Sequence, residues 1–193
     1  MDLTDLLAPA AANAVRIVAA VPADLLDAPT PCDGWDVRTE LNHLVYWTGR
    51  GGPAARKEGP GDGPGEDHDF TADPGFADHF AAVAEDAARA WRDPAAWTGN
   101  ASLTGDGPGM PAPVIGGMVF GEWVLHGWDL AVATGRPHGI TDEIARAAYD
   151  GAASIAAMAR EYGAFGPEVA VPADAPVLDR LLGVTGRDPR WKP

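Results

Sequence analysis

The sequence predicts an all-α protein, a four-helix bundle with accessory C-terminal helices and two Gly/Pro-rich loops. Three observations carry that prediction. Apolar residues recur at spacings of three and four along each long segment, which is the period of one helix face. Strand-length alternation is missing, and the best run, Val169-Ala170-Val171, is short. Glycine and proline gather in two stretches, 51–73 and 99–112, that separate the periodic segments. No internal repeat is visible. With 193 residues and 46% apolar content the chain reads as one domain, residues 1–193.

The first helix is expected over 3–20, from Leu3, Leu6, Leu7, Ala10, Ala14, Ile17 and Val18, with Pro22 just beyond its end. A turn-rich link, Pro29-Thr30-Pro31-Cys32-Asp33-Gly34, follows. The second helix starts near Trp35 with Asp36 as its N-cap; Val37, Leu41, Leu44, Val45 and Thr48 form its buried stripe, and Gly49 to Gly52 stop it. Residues 51–73 then form an exposed acidic loop, either a lid or a mobile segment. Asp73 caps and Pro74 opens a third helix over 74–92, with Phe76, Phe80, Val83, Ala84, Ala87 and Trp91 facing inward. The fourth runs from about Pro113 to Thr134, closed by Gly135. A fifth, alanine-rich, covers 142–162, and a short one covers Pro176 to Val184.

Charge and cysteine content narrow the function classes. Acidic residues number 28 and basic residues 14, giving a net charge of −14. That field repels phosphate, which argues against nucleic acid and anionic membrane surfaces as partners. The single cysteine, Cys32, forms no internal disulfide. The N-terminus, Met1-Asp2-Leu3-Thr4-Asp5, lacks the basic region of a signal peptide. The apolar stretch 113–134 is interrupted by Glu122, His126 and Asp129, which argues against a membrane span. A cytoplasmic protein, monomeric or homodimeric, is the resulting expectation.

The fourth helix carries the chemistry. It is apolar nearly all the way round and therefore mostly buried. Glu122 and His126 sit ~40° apart around it and ~6 Å apart along it, and Asp129 lies over the same face. Ionisable groups there are expensive unless paired or metal-bound. A Glu-x-x-x-His pair alone is ordinarily an i,i+4 hydrogen bond. His43, inside the second helix beside its apolar stripe, supplies a partner from a facing helix. Two imidazoles and one carboxylate suit zinc, nickel, iron or manganese and leave a coordination position open. Asp129 is placed to accept from His126 and fix its tautomer.

Two stretches resemble a known family. Pro29-Thr30-Pro31-Cys32-Asp33-Gly34-Trp35-Asp36-Val37-Arg38 with Leu41-Asn42-His43-Leu44 is similar to the N-terminal motif of the mycothiol-dependent maleylpyruvate isomerase family, of the DinB-like metal-binding superfamily. Glu122-Trp123-Val124-Leu125-His126-Gly127-Trp128-Asp129 with Thr134-Gly135-Arg136-Pro137 is similar to its second motif. The tail, Phe165-Gly166-Pro167-Glu168 through Gly186-Arg187, resembles short single-domain members. The resemblance implies a DinB-like four-helix bundle and a divalent-metal triad of His43, Glu122 and His126. It further implies activation of a low-molecular-weight thiol such as mycothiol, for transfer to or isomerisation of a small-molecule substrate. The two-domain isomerase has a further C-terminal α/β domain; this sequence ends at Pro193, short of one.

Three function classes follow. The first is a metal-dependent thiol transferase or isomerase. The second is a metal- or ligand-binding stress or sensor module without turnover. The third is a thiol-independent metallohydrolase using bound hydroxide. Cys32, just before a helix, is a candidate nucleophile or fourth ligand, because the helix end lowers a thiol pKa; Asp33 and Asp36 oppose this, and a packed turn residue is the plain alternative. Asp67-His68-Asp69, His79 and His138 read as solvated. The run Gly59 to Gly65 follows no strand and is no phosphate cradle. Trp35, Trp47, Trp123 and Trp128 flank the ligands in sequence, as core or as walls of a dry cleft.

Overall fold

The computed structural model describes residues 3–193. Met1 and Asp2, with which the signal-peptide reading begins, lie outside the described residues. The chain is all-α, with helices α1 (Leu3–Ala19), α2 (Val37–Ala55), α3 (Phe76–Ala90), α4 (Ala112–Ala133), α5 (Asp142–Glu161) and α6 (Val177–Val184). Both α1 and α2 pack on α3 and on α4, so the four close into a bundle with α1 diagonal to α2. On the outer side of α4 lies α5, and α6 packs on α5. The apolar character of α4 has this cause: α1 and α2 cover one side and α5 another, so no full polar face is needed. Leu7, Ile17, Leu41, Leu44, Phe80, Phe120, Trp123 and Leu130 fill the centre. No helix among the described residues is long and apolar enough to cross a membrane.

Four local expectations are corrected. First, α2 does not stop at Gly49 but continues through Pro53 to Ala55. A Cβ at Gly51 would stand 3.1 Å from both Ala87 Cβ and Val119 Cγ1, so the glycine admits close packing of α2 on α3 and α4. Trp91 Nε1 donates to Gly51 O at 3.0 Å, a further tie. The helix ends where Lys57 turns to a φ of 61°. Second, α3 starts at Phe76, because Gly75 takes a left-handed φ of 75° at its N-cap and Asp73 pairs with His68 Nε2 at 2.7 Å instead of capping. Third, Asn100–Ala101 and Met110–Pro111 pair as a two-residue antiparallel ladder inside the second loop, too short for any periodic signal. Fourth, the loop expected over 51–73 begins only after Ala55, and at its return Asp69 accepts from Asn42 Nδ2 at 3.1 Å and from Thr71 Oγ1 at 2.6 Å.

Candidate metal centre

His43 occupies the middle of α2, whose N-cap Asp36 accepts from Thr39 N at 2.8 Å, and Glu122 and His126 lie one turn apart on α4. Because α2 packs on α4, the three side chains converge. His43 Nε2 is 3.1 Å and His126 Nε2 is 3.5 Å from Glu122 Oε2. One ligand atom from each lies within 4.8 Å of the others. Donors at about 2.0–2.2 Å from a tetrahedral ion stand roughly 3.3–3.6 Å from one another, so this spacing fits a shared cation. Trp35 stacks on the His126 ring at 5.9 Å and tilts over His43 at 4.8 Å; Trp47 is 6.2 Å from His43. These two indoles wall the cluster, whereas Trp123 and Trp128 are core, Trp123 Nε1 donating to Thr48 Oγ1 at 3.0 Å.

Behind His126 the expected orienting residue is replaced by another. Asp129 Oδ2 is 3.5 Å from His126 Nδ1, beyond a good hydrogen bond. Glu40 Oε1 is 2.7 Å from that nitrogen. Glu40 therefore holds the Nδ1 proton and leaves Nε2 to face Glu122 and His43. Asp129 is engaged elsewhere: Arg187 Nε reaches both its oxygens at 2.9 Å and Nη2 reaches Oδ2 at 2.6 Å. Arg187 arrives through the end of α6, where Gly186 adopts φ 90° and Arg187 N donates to Leu182 O at 2.8 Å.

Cys32 joins the same buried network. Its Sγ is 3.5 Å from Asp129 Oδ2 and 3.7 Å from Glu40 Oε1, and accepts from Arg187 Nη2 at 3.3 Å. Cys32, Glu40, His126 and Asp129 form a second set of close donors that shares His126 with the first. The helix-end expectation for the thiol is reversed, since burial, with Asp129 and Glu40 nearby, pushes Cys32 up to about 11. A neutral thiol there is a packing and hydrogen-bonding group.

The carboxyl groups diverge sharply. Burial and the Asp129 charge raise Glu40 to about 8, and its Oε2 has no hydrogen-bond partner among the described residues. Burial would also raise Asp129, but Arg187 and His126 hold it well below the usual carboxylate range. Burial opposes charge on His126, yet the nearby Asp129 carboxylate, Cys32, the Glu122 charge and the hydrogen bond to Glu40 raise it well above 6.5. Glu122 is lowered despite burial, by His126 and His43. A cation at the triad would replace the His126 proton, so the donor set fits a divalent metal chemically as well as sterically.

Other histidines stay apart from the cluster. His68 pairs with Asp73, His79 is exposed beside Phe70, and His138 accepts from Ile140 N at 3.1 Å while its carbonyl takes Asn13 Nδ2 at 2.8 Å. Sequence reasoning missed Glu40 and Arg187. Glu40 carried a signal, since it sits three residues after Val37 on the buried stripe. Arg187 stands in the tail stretch that resembles short family members, but nothing local pointed to its partner 58 residues away.

A family model described as the mycothiol maleylpyruvate isomerase N-terminal domain matches residues 7–131. The matched segment contains Cys32, Glu40, His43, Glu122, His126 and Asp129 and stops before α5, α6 and Arg187. No curated protein and no solved structure matches the chain.

Proposed function

We propose, from the premise that the chain belongs to the mycothiol maleylpyruvate isomerase N-terminal domain family, that it is a divalent-metal-dependent thiol transferase or isomerase. The family is one of DinB-like, metal-binding helical domains related to mycothiol chemistry, and the chain carries a donor cluster suited to such an ion. The observation that carries the reading is the meeting of His43, Glu122 and His126 from two helices, with Glu40 fixing the His126 tautomer. Zinc suits two imidazoles and one carboxylate with an open position best, with nickel, iron and manganese as alternatives. A divalent ion so held lowers the pKa of a thiol and makes it a nucleophile at neutral pH. The thiol is a small cosubstrate of the mycothiol type, and the reaction is cytoplasmic.

The protein's own groups have defined tasks in this reading. Glu40 holds the proton on His126 Nδ1. Asp129 and Arg187 neutralise one another beneath it, which keeps a fixed charge pattern under the imidazole. Trp35 and Trp47 exclude water from one side. The thiol sulfur forms a bond to an unsaturated carbon of the substrate, the displaced π pair moves toward the substrate's carbonyl, and the thiol proton is returned to carbon. For isomerisation the enolate is not protonated: the former double bond rotates as a single bond, the enolate pair re-forms C=C, and the sulfur leaves as thiolate.

Elemental analysis of the purified protein tests the assignment. About one divalent ion per chain is expected in the wild type, with loss in His126→Ala and in His43→Ala. Equal metal content in all three ends the idea. Metal-dependent thioether formation with a thiol and an electrophile panel separates turnover from mere binding, and turnover without thiol points to the hydrolase instead.

A further inference from the structure

We propose that the cavity between α4 and α5 binds an elongated, largely apolar α,β-unsaturated carbonyl compound, the electrophile that accepts the thiol. Its role as substrate rests on the function proposed above; its binding does not. The cavity has a volume of about 700 Å³, which is the size range of sites for drug-sized molecules. Val114, Met118 and Leu125 of α4 face Ile155 and Met158 of α5, with Phe165 beyond. The charged groups in its lining are Glu122, His126 and Arg187, those already gathered at the metal centre. Apolar body and reactive end are thus provided in one continuous space.

Two sequence features show that the space is kept open. Gly49, Gly117, Gly121 and Gly151 are the helical glycines at which an added Cβ would meet nothing within 4 Å. Three of these four, Gly117, Gly121 and Gly151, line this cavity. Glycine is less favourable than alanine inside a helix, and no close packing compensates at these three, whereas Gly51 is packed against Ala87 and Val119. Further, Met110, Met118 and Met158, three of the chain's four methionines, line the cavity and supply walls that adapt to an apolar shape.

The polar end selects the head group. Arg187 uses Nε and Nη2 on Asp129 and Cys32, and its Nη1 donates to none of the described residues. The two N–H groups of Nη1 are left for a carbonyl or carboxylate head group. The rest of the lining is almost entirely apolar, so a charge carried at the far end of the ligand would meet apolar walls, an expensive desolvation. In the addition, sulfur bonds to the β-carbon, the C=C pair shifts toward oxygen, and the thiol proton ends on the α-carbon; nothing is oxidised or reduced. Both α5 and Arg187 lie outside the family-matched segment, so this wall is a feature of the chain beyond what the family match covers.

The test is a fluorescence titration of the metal-free full chain with N-phenyl-1-naphthylamine, followed by displacement with trans-2-butenoic, trans-2-octenoic and trans-2-dodecenoic acids and with maleate. Saturable one-site binding is expected, with displacement strengthening at least about tenfold from the shortest to the longest acid. Gly117→Leu and Gly151→Leu, which fill the cavity from opposite walls, each weaken the probe at least about tenfold. His43→Ala loses metal but binds the probe like wild type, so failure of the metal assignment and failure of the cavity assignment are read separately. The proposal is overturned by a folded wild type that takes no probe, by leucine variants that both bind unchanged, or by maleate displacing better than dodecenoate. Sedimentation showing a wild-type dimer that Gly151→Leu makes monomeric also overturns it, because the occupant would then be a second copy.

Discussion

A carboxyl group with no solvent contact keeps its proton longer than one in water, and Glu40 does so beside the imidazole it orients. The consequence for the metal-free protein has a definite sign. In the unfolded chain Glu40 ionises near 4.5, and in the folded chain near 8. Between those values the folded state binds more protons, so unfolding free energy falls as pH rises. His126 acts in the same direction: its folded pKa is raised, so its contribution is full below 6.5 and is lost as pH climbs through the higher folded value. Urea unfolding at pH 5, 6.5 and 8 should show a loss of about 2–4 kcal/mol across the series, and Glu40→Gln should flatten the slope. A constant stability in the wild type would mean that Glu40 titrates alike in the folded and unfolded chain and is no buried partner of His126. In Glu40→Gln the metal is expected to bind about 10–100-fold more weakly, as for other groups that orient a ligating histidine. His43, Glu122 and His126 were legible because helical spacing and apolar surroundings act locally. Glu40 was hidden by its own stripe: Val37, Leu41 and Leu44 explained the face without it, although a glutamate among them was the available signal.

The course of α2 shows why glycine is ambiguous in sequence. Gly49, Gly51 and Gly52 before Pro53 read as a stop, since glycine weakens helices and proline removes a donor. Packing reverses that reading, because the same lack of side chains lets α2 lie close to α3 and α4. The two effects can be separated by substitution. At Gly49 an added methyl meets nothing within 4 Å, so Gly49→Ala should stabilise by about 0.5–1 kcal/mol. At Gly51 it would meet Ala87 Cβ and Val119 Cγ1 at 3.1 Å, both held by neighbouring helices. There the overpacking cost of about 1–3 kcal/mol outweighs the propensity gain, and Gly51→Ala should destabilise by about 1 kcal/mol. Opposite shifts in the urea midpoint are the measurement; a common sign would mean that propensity alone governs this end of α2. The helices themselves were legible from their period, while their ends depended on contacts with partners distant in sequence.

Besides the packing of α5 on α4, a buried ion pair joins the bundle to its C-terminal addition. Asp129 stands on α4, the helix shared by bundle and cavity, and Arg187 follows α6, at the far end of the chain. Within that addition Arg160 of α5 ties α6 down by donating to Val184 O at 2.6 Å. Periodicity foretold that the fifth and sixth helices exist; nothing near position 187 could announce a partner on another helix, so the attachment of the tail was invisible in sequence. Breaking a buried pair from one side leaves an unpaired charge, at a cost of about 3–5 kcal/mol. Arg187→Met and Asp129→Leu should therefore each destabilise the metal-free protein by that order. The double variant should recover much of the loss, because two apolar side chains replace two charges that no longer need one another. A double-mutant cycle on unfolding free energies measures the coupling. Strong non-additivity is expected; simple addition of the two losses would show that the pair does not hold the tail. The single Arg187→Met variant also leaves Asp129 as a bare carboxylate near His126, so its raised pKa should climb further, visible as a later imidazole titration by NMR in the metal-free state.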